Sequence, residues 1–205
     1  MYITHNQYEY KNKDVRFAII LEYLRKYIHK GMNTNYKYWR RIFLFSLGLF
    51  IGSAFCMKWM ESDFVQNGSL FTIIGLEISY PKEKVIHILS GLDPAVKNIL
   101  KYHLSFDFAF MVGIYPGIAA LCMMARNKSV NNALRKLLLI LALLQLVAWG
   151  CDICENCYLL KWINNPTIGT DFITYHFIVA IKWILALMAA LVAIPLAIRS
   201  RKIAK

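Results

Sequence analysis

The chain has 205 residues, of which 58% are apolar and only 18% charged, and it carries a formal net charge of +12. A water-soluble domain of this length would struggle to hide so much apolar surface, and a nucleic-acid binder would gather its basic residues into a stripe interleaved with aromatics, whereas here they sit between hydrophobic blocks. Five cysteines, Cys56, Cys122, Cys151, Cys154 and Cys157, lie in or beside apolar runs, a distribution unlike a secreted disulfide framework.

At the N-terminus, Val15, Ile19, Ile20, Leu24, Tyr27 and Ile28 recur at helical spacing, with Arg16, Arg25 and Lys26 elsewhere on the wheel and Gly31 beyond them. This predicts an amphipathic helix over 15–28, fitted either to an anionic lipid surface or to the protein's own loops. Residues 1–41 thus form a basic segment, and 42–205 a transmembrane domain. The window 42–60 is long enough to cross a bilayer core and, with a long polar and basic stretch before it, reads as an anchor rather than a cleaved leader.

Residues 61–103 are too many for a bare connector, so this loop is expected to be structured. Its stretch 71–79 is apolar, rich in β-branched residues and interrupted by Gly75, which predicts a strand or extended flap folded onto the helix ends. Pro81 should open a short helix carrying Val85, Ile86, Ile88 and Leu89, with Gly91 closing it. Asp93 and Pro94 read as the N-cap and first residue of a helix that runs into the second span. The remaining apolar windows are 104–125, 137–160 and 172–198, with kinks expected at Pro116 and Pro195.

The fold class expected is therefore an all-α membrane protein: a four-helix transmembrane bundle with an N-terminal amphipathic helix and a structured outer loop. Short cytoplasmic loops carry an excess of Lys and Arg. That excess falls on the first forty residues, on Arg126, Lys128, Arg135 and Lys136 between spans two and three, and on Arg199, Arg201, Lys202 and Lys205. The loop 61–103 is balanced instead, and the last loop offers only Lys161. Both termini are expected in the cytoplasm, with 61–103 outside.

Charge inside such spans is expensive and usually faces the bundle interior. Asp107 opens the second span, Asp152 and Glu155 lie toward the end of the third, and Lys182 sits about three turns into the fourth. Counted along alternating directions, all four reach one depth in the outer half of the bilayer. In Cys151-Asp152-Ile153-Cys154-Glu155-Asn156-Cys157, the i,i+3 and i,i+4 spacings put Asp152, Glu155 and Asn156 on one face. Asp107, Met111 and Tyr115 make a second stripe, and Asp171, Tyr175 and Lys182 a third, with His176 beside it. The plain reading is a salt bridge from one carboxylate to Lys182, with Asn156 and Tyr115 completing hydrogen bonds that lock the helices in register. Against it, three carboxylates and one lysine leave two negatives to be protonated, hydrated or met by a cation. The cysteine run at intervals of three drifts around its helix and suits tetrahedral zinc poorly, so these residues are expected to pack as small side chains. His87 and His103 read as solvated or interfacial, within reach of the carboxylates should the loop fold down.

Between about 70 and 160 the chain resembles a family of small bacterial four-helix integral membrane proteins of uncharacterised function. The likeness rests on Ile74-Gly75-Leu76-Glu77, Ile88-Leu89, Asp107-Phe108-Ala109-Phe110 with Tyr115, and the Asp-x-x-Glu-Asn element at 152–156. It implies that Glu77, Asp107, Tyr115, Asp152, Glu155 and Asn156 belong to one site and that the membrane is the bacterial cytoplasmic one.

The leading functional expectation is a binding or transport-type membrane protein whose acidic pocket, formed by these residues with Lys182, holds a cation, a cationic small molecule or a lipid headgroup. Two alternatives are a membrane enzyme using Asp152 and Glu155 in metal or acid–base chemistry on a lipid-like substrate, and a non-catalytic accessory protein that oligomerises. Partners expected are the bilayer, anionic lipid at the N-terminal helix and another copy of the chain, without nucleic acid; no metal ligand set and no specific cofactor is read. The orientation has a direct check. In a background lacking reactive native cysteines, a cysteine at Asn67 should react with a membrane-impermeant thiol reagent from outside and one at Asn131 should not, and the reverse pattern would overturn it.

Overall fold

Backbone polar groups find no water in a bilayer core, so an apolar window of this length satisfies its hydrogen bonds internally as a helix. The computed structural model describes residues 35–198. The chain divides into two compact units, Met1–Tyr38 and Trp39–Lys205. The first, and with it the expected helix over 15–28, lies almost wholly outside the described residues, and the second carries nearly all of the described structure.

Four helices are long and apolar enough to cross a membrane: α1 (Asn35–Asp63, its last turn a 3-10 turn over Glu61–Asp63), α4 (Pro94–Lys128), α5 (Asn132–Asn164) and α6 (Asp171–Ile198). Between α1 and α4 stand a hairpin, β1 (Val65–Gln66) and β2 (Ser69–Leu70), and two short helices, α2 (Ile73–Glu77) and α3 (Lys82–Ser90). The protein is thus an all-α, four-helix membrane bundle with a structured loop.

Local chemistry sets the boundaries. Asp93 caps α4 by accepting the Ala95 N–H at 2.7 Å, with Pro94 in the first turn, and the helix runs on for 35 residues through Pro116. Asn131 caps α5 through the Ala133 and Leu134 N–H groups, and α6 continues past Pro195. In the loop, α3 lies between Pro81 and Gly91.

The stretch 71–79 is different from its expectation: it holds α2, not a strand. Thr72 Oγ1 accepts the Gly75 N–H at 3.0 Å, and Ile73, Leu76 and Glu77 are buried while Ile74 and Ile78 are exposed. That is the i, i+3, i+4 pattern of a helix with one inward face. The strands sit earlier, pairing Val65 with Leu70 and Gln66 with Ser69 around Asn67 and Gly68, both of which take positive φ as the tight two-residue turn requires.

Helices α4, α5 and α6 pack on one another. The loop closes over their ends, burying Phe64, Leu76, Val85 and Leu89 against Leu104, Trp162, Phe172 and Tyr175. At the far end small residues, Cys122, Ala125, Ala142, Ala189 and Ala193, let the three helices approach. Helix α1 joins the bundle on α4, where Phe50 and Phe110 rings lie 5.0 Å apart. A Cβ on Gly113 would stand 2.6 Å from the Phe50 backbone nitrogen and 3.0 Å from the Ser46 carbonyl oxygen, and one on Gly117 3.3 Å from Ser46 Cβ. The small-xxx-small spacing of Gly113 and Gly117 therefore fixes how closely α1 docks.

Gly113→Ala should lower the melting temperature in mild detergent, by an amount matching about 1–3 kcal/mol of overpacking, because backbone rather than side chain must move. Gly48→Ala, where the new Cβ meets nothing within 4 Å, should not. Equal melting of the two variants would remove the close crossing.

Candidate functional site

Helix α5 carries the key face. Asp152, Glu155 and Asn156 are all buried, while Ile153, Cys154 and Cys157 point away from the bundle. Exposure of Cys154 and Cys157 corrects the expectation that the run packs as small core residues; spacing by three carries the series around the helix, and Cys151 is left half-buried. All the cysteines are free, and among the described residues no group of three or more His, Cys, Asp or Glu is arranged to hold a metal ion.

Lys182, on α6, is 6% exposed and sits at the centre of a three-element ion cluster. Its Nζ lies 2.6 Å from Glu155 Oε2, 2.9 Å from Asp152 Oδ1 and 3.4 Å from Glu77 Oε2. The contacts to Asp152 and Glu77 have hydrogen-bond geometry, whereas the shorter one to Glu155 is an ion pair without it, so both oxygens of the fully buried Glu155 lack a hydrogen bond. Tyr115 of α4 donates its hydroxyl to Asp152 Oδ2 at 2.7 Å. Asp152 therefore has one oxygen on the lysine and one on the tyrosine. Burial pushes the Glu77 carboxyl above its ordinary range, against the pull of Lys182.

Asp107 is held differently. Asn156 donates Nδ2 to its Oδ2 at 2.7 Å, and among the described residues it forms no ion pair with a cation. The seven residues Glu77, Asp107, Tyr115, Asp152, Glu155, Asn156 and Lys182 thus fall into one polar cluster of two bonded sets, Asp107 with Asn156 and the other five linked through Lys182. With four carboxylates to one ammonium, it holds three formal negatives in excess if fully ionised, one more than the spans alone contain because Glu77 arrives from the loop.

One side of this group opens on a partly open cavity of about 410 Å³, in the range of small-molecule sites. Glu77, Asp107, Tyr115, Asp152 and Lys182 line it at one level. Phe50, Ala54 and Met57 of α1, Phe110 and Ile114 of α4, and Trp183 and Ala186 of α6 form an apolar wall, and Lys58, Glu61 and His103 line it toward the loop. Ile73 and Ile74 of α2 contribute there as well, α2 being tethered at its start by the Ile73 N–H to Glu61 Oε1 at 3.1 Å.

Other expected members lie elsewhere. Asp171 pairs with Lys161 at 3.0 Å at the exposed start of α6. Tyr175 packs against Trp162, with ring centroids 4.8 Å apart, and His176 against Phe172 at 4.5 Å. Met111 is buried beside Tyr115 and Ala148. His87 is exposed, but His103 is 1% exposed and faces the cavity, not solvent. Its position four residues before Asp107 on α4 was the signal that it shares that face. Gln145 is another buried polar residue of α5, donating to the Leu141 and Leu185 carbonyls. Comparison with protein-family models, with curated proteins and with solved structures finds no match.

Proposed function

We propose that the chain is a binding or transport-type membrane protein that takes a cation, a cationic small molecule or a cationic lipid headgroup at Asp107. The observation that carries this reading is the division of labour among the carboxylates. Glu77, Asp152 and Glu155 are committed to Lys182, whereas Asp107 is positioned by a neutral asparagine and faces a cavity with mainly apolar walls. A carboxylate in such surroundings attracts a positive group strongly, because little water screens it. The orientation proposed from the basic loops puts this cavity in the outer half of a cytoplasmic membrane, with both termini inside and the N-terminal segment available to anionic lipid.

The test is a ligand screen on purified protein in lipid nanodiscs, read as a shift in melting temperature. The panel holds alkali and alkaline-earth ions, small organic ammonium ions and phosphatidylethanolamine. A member present at a hundred times its Kd should stabilise the wild type by about 2.7 kcal/mol, and Asp107→Asn should remove that stabilisation while melting unliganded like the wild type. If no member shifts the wild type, or if the shift survives in Asp107→Asn, the proposal fails.

A further inference from the structure

The cavity offers a ligand two kinds of acceptor one helical turn apart. Asp107 supplies a carboxylate, and His103, four residues earlier on α4, brings an imidazole to the same cavity. His103 is 1% exposed, yet neither ring nitrogen has a hydrogen-bond partner among the described residues. A buried polar group without a partner costs free energy, so an imidazole on the lining of a ligand-sized space, left unmatched by the described residues, is explained by a ligand that matches it. The Phe64 ring, 5.2 Å from the imidazole centroid, holds it there without offering a hydrogen bond.

We infer that the site recognises a primary ammonium group borne on an apolar chain, with one N–H donated to the Asp107 carboxylate and another to the free lone pair of the His103 imidazole. This inference rests on the cation-binding reading above and narrows it. A neutral imidazole has one acceptor nitrogen, and a carboxylate is acceptor only, so the pair asks for a cation with several N–H donors. A quaternary ammonium carries the charge but no donor. A metal ion would want a convergent set of donors, and no such group exists among the described residues. Phe50, Ala54, Met57, Ile114 and Ala186 form an apolar part of the wall, apart from the ion cluster and from Lys58 and Glu61, and this part accepts the chain of the ligand.

The experiment is a methylation series on the whole protein in nanodiscs, with empty nanodiscs as the partitioning control. Octylamine, its N-methyl, N,N-dimethyl and N,N,N-trimethyl forms, and octanol are titrated calorimetrically. The charge is kept through the amines while donors are removed one by one. Octylamine should bind, the trimethyl form should bind at least about tenfold more weakly, the scale of one charge-assisted hydrogen bond, and octanol should bind weakest. In His103→Phe, which keeps a ring of similar size, the preference for octylamine over the trimethyl form should shrink, because only the bond to Asp107 remains, whereas Asp107→Asn should weaken binding of both. The series on the wild type needs no variant, so it decides the matter even if His103→Phe fails to fold. Equal binding of octylamine and the trimethyl form would overturn the inference and leave the cation-binding reading standing. No binding by any amine would likewise overturn the inference and leave the metal-ion arm of the earlier screen to decide the broader reading, whereas binding of octanol as tight as octylamine would overturn both.

Discussion

A lysine ammonium can stay charged inside a membrane-spanning bundle only if anions replace the water it has lost, and Lys182 draws its three anions from two elements. Asp152 and Glu155 come from the neighbouring helix α5, and Glu77 comes from α2, 105 residues away in sequence. Removing one partner from a buried pair costs roughly 3–5 kcal/mol, which is large against the whole stability of a domain. The depth of α6 relative to α5, the placing of Tyr115 against Asp152 and the docking of the loop over the helix ends all follow from that one requirement. The apolar cap around Phe64, Leu89, Trp162 and Tyr175 then packs where the ion cluster has already put the loop.

The same arrangement leaves a cavity open beside the ion cluster. Had Asp107 also reached the lysine, all four carboxylates would be ion-paired and the cavity would face none without a cation. Asn156 instead holds Asp107 at the edge, and α1, docked on Gly113 and Gly117, supplies the opposite wall. The carboxylates thereby divide by partner, with three on an ammonium and one on an amide. His103 lines the same cavity and takes no part in the ion pairs around Lys182.

Much of this was legible in the residues. Apolar windows of spanning length predict helices because the bilayer permits little else, and the spacing of Asp152, Glu155 and Asn156 predicts a shared face because the helical period is fixed. Where the reading failed, a tertiary term or an unread local signal was responsible. Gly75 and the β-branched residues around it favoured a strand, but the Thr72 cap and the burial of Ile73, Leu76 and Glu77 made α2 a helix. Asn67-Gly68 marked the real hairpin, and Gly113 with Gly117 marked the close crossing, both by ordinary local rules. No sequence pattern in the loop and α6 links Glu77 to Lys182, because their contact depends on how the loop folds back, and the depth of His103 depends on the same event.

Amide hydrogen exchange along α2 measures that dependence most directly. In α2 the Ile78 N–H is bonded to the Ile74 carbonyl at 3.1 Å and the Ser79 N–H to that of Leu76 at 3.2 Å. If Lys182 anchors the loop, Lys182→Met should speed exchange across 73–79 by about tenfold or more, while amides of the α4–α5 contact at the far end of the bundle stay as protected as in the wild type. Unchanged protection across 73–79 in Lys182→Met would contradict the account.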